Sequence, residues 1–319
     1  MREIELKFRL DADRAKAVRA RLAAVDGLQQ PVKRQSLRTT YYDTTDHALA
    51  AAGIALRLRK AGRKWLQTVK MKTANHGGLQ SGEEFETAAP GGRFDFPAFP
   101  EPVRARLDET LGDRMPAPLC ETAFQRTLAL VDMPGGGKAE VALDEGEIIS
   151  GEISEPLIEL ELELVDGQLT GLYDLAKALL PNGGLDLSER SKAARGYALA
   201  AGQPAISPAT PHNAGKVALQ AGQSSETAAR DVLRDVFGQI AANAACVRST
   251  EDPEGPHQLR VGLRRLRSAL AAFSPAIGGP GATHLSAEAR WLGGEIGRLR
   301  DLDVAPRTTA QIPAITNMA

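Results

Sequence analysis

Glu3-Ile4-Glu5-Leu6-Lys7-Phe8-Arg9-Leu10 is the stretch on which the fold turns. Charged and apolar side chains alternate through it with the two-residue period of a β-strand. Read alone, it is a half-buried strand, with Ile4, Leu6 and Phe8 inward and its charges in water. Other segments change that reading. Leu56-Arg57-Leu58-Arg59 sets two guanidinium groups on one strand face, and Thr68-Val69-Lys70-Met71-Lys72 sets two ammonium groups on another. Glu84-Phe85-Glu86 and Glu159-Leu160-Glu161-Leu162-Glu163 do the same with carboxylates. Carboxylates at i and i+2 lie about 6.6–7 Å apart on one face. At an effective dielectric of 20 they repel by roughly 2.4 kcal/mol per pair. A solvated strand usually mixes its signs, whereas blocks of one sign suit the opposed walls of a cavity. A divalent cation that takes oxygen ligands, Mg²⁺ or Mn²⁺, relieves a row of carboxylates. A polyphosphate relieves a row of arginines and lysines.

Outward from these strands, residues 1–200 read as a strand-rich region. Strands are expected near 37–43, 54–60, 64–72, 83–88, 122–132, 138–144 and 157–165, with helices over 13–24, capped by Asp11 or Asp13, and over 169–180. Residues 201–216 hold three prolines and little that could pack, which marks a linker. Helical patterns follow at 225–248, 256–273 and 284–305, and 306–319 lacks helical periodicity. A chain of 319 residues with 43% apolar and 25% charged side chains suits two globular domains. The net charge of -1 gives no global field for nucleic acid. Cys120 and Cys246 lack metal-ligand spacing. No apolar leader or membrane-spanning run is visible, so a cytoplasmic, soluble protein without a membrane partner is expected.

The opening Glu3-x-Glu5-x-Lys7 resembles the defining motif of the CYTH superfamily, the triphosphate tunnel metalloenzymes. The resemblance continues in order through Tyr41-Tyr42-Asp43-Thr44, Leu49, Gly53, Arg57 and Arg59, then Trp65, Thr68, Lys70 and Glu84-x-Glu86. It runs on through Arg126, Glu140, Asp144, Glu159-x-Glu161-x-Glu163 and Ser191-Lys192-Ala193-Ala194-Arg195-Gly196-Tyr197. It implies an α+β fold: an antiparallel eight-stranded β-barrel tunnel, charged inside and flanked by helices. By the same resemblance Glu3, Glu5, Glu159 and Glu161 hold divalent metal, assisted by Asp144 and by Glu84 or Glu86. Lys7, Arg57, Arg59, Lys70, Arg126 and Lys192 clamp phosphate oxygens. Relatives often carry an arginine where this chain has Gly82, a loss that Lys72 or Arg63 could offset. The general base stays open between Lys7, with a pKa lowered among cations, and a tunnel glutamate. Glu5 and Lys7 are the residues expected to be catalytic.

In the helical region His257, Arg260, Arg264 and Arg267 fall at i, i+3, i+7 and i+10 on one helix face, and Leu259, Leu263, Leu266 and Leu270 form a separate apolar face. The basic stripe reads equally as an anion site or as a face paired with acids of a neighbouring helix. Together with Gly297-Arg298-Leu299-Arg300-Asp301-Leu302-Asp303, this segment resembles the first half of a CHAD domain, a helical polyphosphate-binding module. Residues 217–305 are therefore expected to be an all-α helical-bundle fragment, followed by an atypical tail. Such a fragment exposes apolar surface and is open to homodimerisation. The combination implies an inorganic triphosphatase acting on tripolyphosphate with Mg²⁺ or Mn²⁺. A polyphosphate-binding scaffold, a class IV-type adenylyl cyclase and a thiamine triphosphatase are the alternatives.

Overall fold

Alternation sorts each strand of the first unit into a charged and an apolar face, and helices outside the sheet decide which face is which. The structure, a computed structural model, describes residues 2–25, 27–76, 79–181, 186–188 and 190–309. Its strands are β1 (Arg2–Arg9), β2 (Lys33–Asp43), β3 (Ile54–Ala61), β4 (Lys64–His76), β5 (Leu79–Ala88), β6 (Ala117–Asp132), β7 (Gly137–Ser150) and β8 (Ile153–Gly167). They run antiparallel in the order β5-β4-β3-β2-β6-β7-β8-β1, and β1 pairs back onto β5 to close an eight-stranded barrel. A two-residue strand, β9 (Asp186–Leu187), takes over the same edge of β1 where β5 leaves it. Each of the eight strands expected from the sequence is present.

The apolar core lies outside the barrel wall. Helices α1 (Ala12–Ala23) and α4 (Leu169–Leu179) bring Ala15, Val18, Leu22, Leu172, Leu175 and Leu179 onto Leu6, Phe8, Leu143, Leu160 and Leu162. The short α2 (Ala48–Ala51) and α3 (Glu101–Leu111) cover Ile54, Leu56 and Val69 with Leu49, Val103, Leu107 and Leu111. Each such leucine contributes about 1.5–3 kcal/mol by leaving water. That burial fixes the register, because a one-residue slip would send every charge into the oil. Charged side chains are thereby forced into the barrel interior. Asp11 caps α1 by accepting from the Arg14 amide at 2.8 Å.

Helix α5 (Lys192–Ala200), capped by Ser191, packs on β6 and β7. Its approach depends on Gly196, where a Cβ would stand 2.3 Å from Cys120 Sγ. Gly196→Ala is expected to cost about 1–3 kcal/mol by overpacking. Cys120→Ala in the same chain should recover most of that loss in a denaturant titration. Equal losses with and without Cys120→Ala would show that the contact does not govern α5.

Two compact units divide at Ser207/Pro208. The connector is less bare than its composition implies. Ala205 is fully buried; its amide donates to Glu155 at 3.1 Å, and its carbonyl accepts from Arg190 at 3.4 Å. Further on, buried Asn243 accepts from the His212 amide and donates to its carbonyl. The second unit comprises α6 (Ser225–Ser249), α7 (Glu254–Ala272), α8 (Ser274–Ile277) and α9 (Pro280–Thr309). Leu259, Leu263, Leu266 and Leu270 are buried against Val236 and Ala289, as the apolar stripe predicts. Helix α9 runs through Pro306 to Thr309, past the expected end at 305; residues 310–319 lie outside the described residues. Among the described residues no helix is long and apolar enough to cross a membrane.

Candidate active site

Strand register brings the charges together. Glu5 stands opposite Glu163, Lys7 opposite Glu161, and Arg9 opposite Glu159 across β1 and β8. On the neighbouring ladders Arg126 faces Asp144 and Lys70 faces Glu84. The result is a cavity of about 740 Å³ through the barrel. Cations Lys7, Arg57, Arg59, Lys70, Arg126, Arg190 and Lys192 line it together with Glu3, Glu5, Glu84, Glu86, Glu140, Glu161 and Glu163.

A buried ion-pair network crosses one part of the wall. Lys192 Nζ contacts Glu159 Oε2 at 2.5 Å, Glu161 Oε1 at 2.7 Å and Asp144 Oδ2 at 2.9 Å. Arg126 grips both oxygens of Asp144 at 2.7 Å and reaches Glu161 Oε2 at 2.7 Å. Lys7 Nζ sits 2.7 Å from Glu161 and 3.1 Å from Glu5. Burial disfavours the charged form of Glu161, but Lys192, Lys7 and Arg126 hold its carboxyl well below the usual range. Asp144 and Glu159 are fully buried and are not among the residues lining the cavity; Ser188 Oγ also donates to Glu159 at 2.8 Å. Elsewhere Lys70 Nζ meets Glu3 at 2.7 Å, Glu5 at 3.1 Å and Glu84 at 3.3 Å, and Arg57 meets Glu84 at 2.6 Å. Despite its burial, the Glu84 carboxyl is held at about 2 by Arg57, Lys70 and Arg59. Glu86 lines the cavity and accepts from Thr68 Oγ1 at 3.1 Å.

Lys7 departs from expectation. Burial alone would lower its pKa, but Glu161, Glu5 and Glu159 raise it well above the usual lysine value. Lys70 and Lys192 share its carboxylate partners, but those carboxylates outweigh the neighbouring cations, so it is held protonated and does not suit the base role. Gly82 lines the cavity beside Lys70, whose Cε would lie 3.8 Å from an added Cβ. Arg63 is exposed in the β3–β4 turn and takes no part in the wall, and the Lys72 side chain lies outside the described residues.

Two spots on the wall carry unbalanced charge. Arg59 donates to the Thr39 hydroxyl at 3.2 Å, and among the described residues no carboxylate pairs with it. Burial and the adjacent Arg57 and Arg126 push its pKa down to about 10. The opposite imbalance falls on Glu163. Burial and the charges of Glu3, Glu140 and Glu5 push its carboxyl up to about 7. Glu3 is raised as well, by burial with Glu84 and Glu5 adding, and Glu140 by burial and Glu161. The sequence pattern named neither Glu140 nor Glu163 as a site residue, although Glu163 continues the period of Glu159 and Glu161. Among the described residues no three acidic, histidine or cysteine side chains yet converge on one point, because most turn to lysine or arginine.

The raised Glu163 has a measurable consequence. Its folded value exceeds the ordinary 4.5, so the native protein keeps a proton that the unfolded chain has lost between those values. Stability contributed by that proton is full below the unfolded pKa and is lost as pH rises through about 7. Thermal melts in chelator should therefore show a component of Tm that declines from about pH 5 to about pH 8. Glu163→Gln should flatten that decline, and an unchanged profile would contradict the crowding of these carboxylates.

In the second unit Arg260 and Arg264 are exposed, while His257 and Arg267 are half-buried, with Nδ1 and Nε lacking hydrogen-bond partners. Among the described residues none of the four is ion-paired. It is Arg265 that bonds α6, reaching Asp235 at 2.7 Å and Gln239 at 2.6 Å.

A charged tunnel inside an eight-stranded barrel, followed by a helical unit, defines the class of protein. The CYTH domain model matches residues 1–197 and the CHAD domain model matches 231–314; the chain belongs to the CYTH family and carries a CHAD domain after it. An inorganic triphosphatase from Haemophilus influenzae is 32% identical over 210 residues, covering 64% of this chain and 56% of the relative. The match thus spans a little over half the length of that relative. Among solved structures, HpAC1 of Hippeastrum, described as having a dominant triphosphatase activity, is 19% identical over 63% of this chain and 96% of that one, with a TM-score of 0.45. The Mimivirus capping-enzyme triphosphatase is 10% identical over 56% and 89%, with a TM-score of 0.36.

Proposed function

We propose that this chain hydrolyses inorganic triphosphate to diphosphate and phosphate inside the barrel, with Mg²⁺ or Mn²⁺. The observation that carries the reading is Arg59, a half-buried guanidinium beside Arg57 and Arg126 that, among the described residues, forms no salt bridge, with Glu84 acting on it only from a distance. Such a cluster is relieved by a multiply charged phosphate and gains bidentate hydrogen bonds from it. The inorganic triphosphatase among the relatives supports the same substrate.

Oxygen-only donors suit Mg²⁺ or Mn²⁺, and the raised carboxyls of Glu3, Glu140 and Glu163 fit a place that a cation would relieve. Glu3, Glu5, Glu140 and Glu163 would hold it. Bound there, the cation supplies charge neutralisation at phosphate oxygens and acidifies a water. Arg57, Arg59, Arg126 and Lys70 orient the phosphate chain and stabilise the charge that gathers on the leaving diphosphate. Lys7, held protonated, acts as a further electrostatic clamp, and a carboxylate of the wall receives the proton of the attacking water. Glu159 and Asp144 position Lys192 and Arg126 from behind the wall. In the second unit the stripe of His257, Arg260, Arg264 and Arg267, without ion pairs among the described residues, supports polyphosphate binding.

Arg59→Met tests this assignment. The KM for tripolyphosphate should rise about 10- to 100-fold, the range lost with hydrogen bonds to a charged group. Tm should hold or increase, because Glu84, the carboxylate that Arg59 acts on, keeps its salt bridges to Arg57 and Lys70. An unchanged KM would remove Arg59 from the phosphate site.

A further inference from the structure

Every cation of the tunnel wall except two has a carboxylate oxygen 2.7 Å away or closer. Among the described residues the exceptions are Arg59 and Arg190. Arg57 and Arg126 are the cations that act on Arg59, so these three form one cluster on the strands. Arg190 comes from the segment between β9 and α5, and forms a separate point of positive charge on the same cavity. Among the described residues its side chain makes one hydrogen bond, from Nη1 to the Ala205 carbonyl at the long distance of 3.4 Å, which leaves most of its fork for another acceptor. A guanidinium facing a cavity gains charge-assisted hydrogen bonds from an anion placed there. The cavity, about 740 Å³, falls in the range that holds ligands of drug size and has room beyond a compact triphosphate.

We propose that Arg190 is a further substrate-binding residue, contacting the fourth phosphate of linear polyphosphates and so setting the chain-length preference of the tunnel. The inference rests on the assignment of phosphate chains to this cavity. The strand cluster serves three phosphates, and Arg190 engages the next one along. Its grip on Ala205 is loose enough to be exchanged for a phosphate oxygen without breaking a salt bridge.

The test is calorimetric titration of the full chain in chelator with tripolyphosphate and with tetrapolyphosphate. Arg190→Met should shift the ratio of the two dissociation constants about tenfold against tetrapolyphosphate, the loss expected for one hydrogen bond to a charged group. Arg190→Lys should retain part of the preference. Glu155→Gln weakens the other hold on Ala205 without entering the cavity, and should leave the ratio as in wild type. An equal effect of Arg190→Met on both chains would overturn the proposal. So would a Glu155→Gln variant that reproduces the shift, since Arg190 would then act only through Ala205. A wild type that binds both chains but releases no phosphate with Mg²⁺ or Mn²⁺ refutes the hydrolase reading alone, and the ratio still decides the role of Arg190. A wild type that binds neither chain overturns both.

Discussion

Lys192→Met is expected to lower the stability of the first unit by about 3–5 kcal/mol, the usual cost of removing one partner from a buried ion pair. Lys192 is buried, and its ammonium serves three carboxylates, of which Asp144 and Glu159 are fully buried. Burial works against its charge, but Glu159, Glu161 and Asp144 more than restore it. Without it, Arg126 still grips Asp144 and reaches Glu161, while among the described residues Glu159 keeps only the hydrogen bond from the Ser188 hydroxyl. The double variant Lys192→Met/Glu159→Gln should therefore recover part of the loss, with a coupling of about 0.5–3 kcal/mol in the cycle. Chemical denaturation measures both, and additive losses would show that the two residues do not act as a pair. Lys192 begins α5, so the same variant should also loosen the helix that Gly196 seats on Cys120.

Glu5→Gln is expected to lower phosphate release by about 10²–10³-fold, the scale of losing one preorganised charge contact in a water-poor site. Glu5 is buried, 3.1 Å from both Lys7 and Lys70, and opposite Glu163 on β8. Glutamine keeps its volume and the single oxygen that both ammonium groups meet, but removes the charge that a cation needs. Stability should change far less than with Lys192→Met, which separates a chemical from a structural role. Raising the Mg²⁺ concentration should restore some activity if affinity for the cation is what was lost.

Much of this site is legible in the sequence. The alternation of residues 3–10, 56–59 and 159–163 marks both the strands and their charged faces, and β1 and β8 carry them as expected. The direction of those faces is less legible. The period is the same whether Leu6 and Leu160 point into a core or out toward helices, and only the packing of α1 and α4 settles it. The environment of Lys7 follows from register, since Glu161 reaches it across a ladder more than 150 residues distant in sequence. Glu159, Glu161 and Glu163 share one strand face, so the period cannot tell which of them meet open space. Ser188 and Lys192 enclose Glu159, and that closure is tertiary. Helix α5 is hidden by its brevity, and Arg190 by lying outside the alternating charged strands, between Glu189 and Lys192.

The account is tested most directly by phosphate release from tripolyphosphate, with ATP and thiamine triphosphate alongside, in Mg²⁺, in Mn²⁺ and in chelator, for wild type and Glu5→Gln. Turnover of tripolyphosphate above the organic triphosphates, lost in chelator and lost in Glu5→Gln, is the predicted result. Wild-type protein that binds tripolyphosphate yet releases no phosphate with either cation would contradict the account and leave the tunnel a binding module.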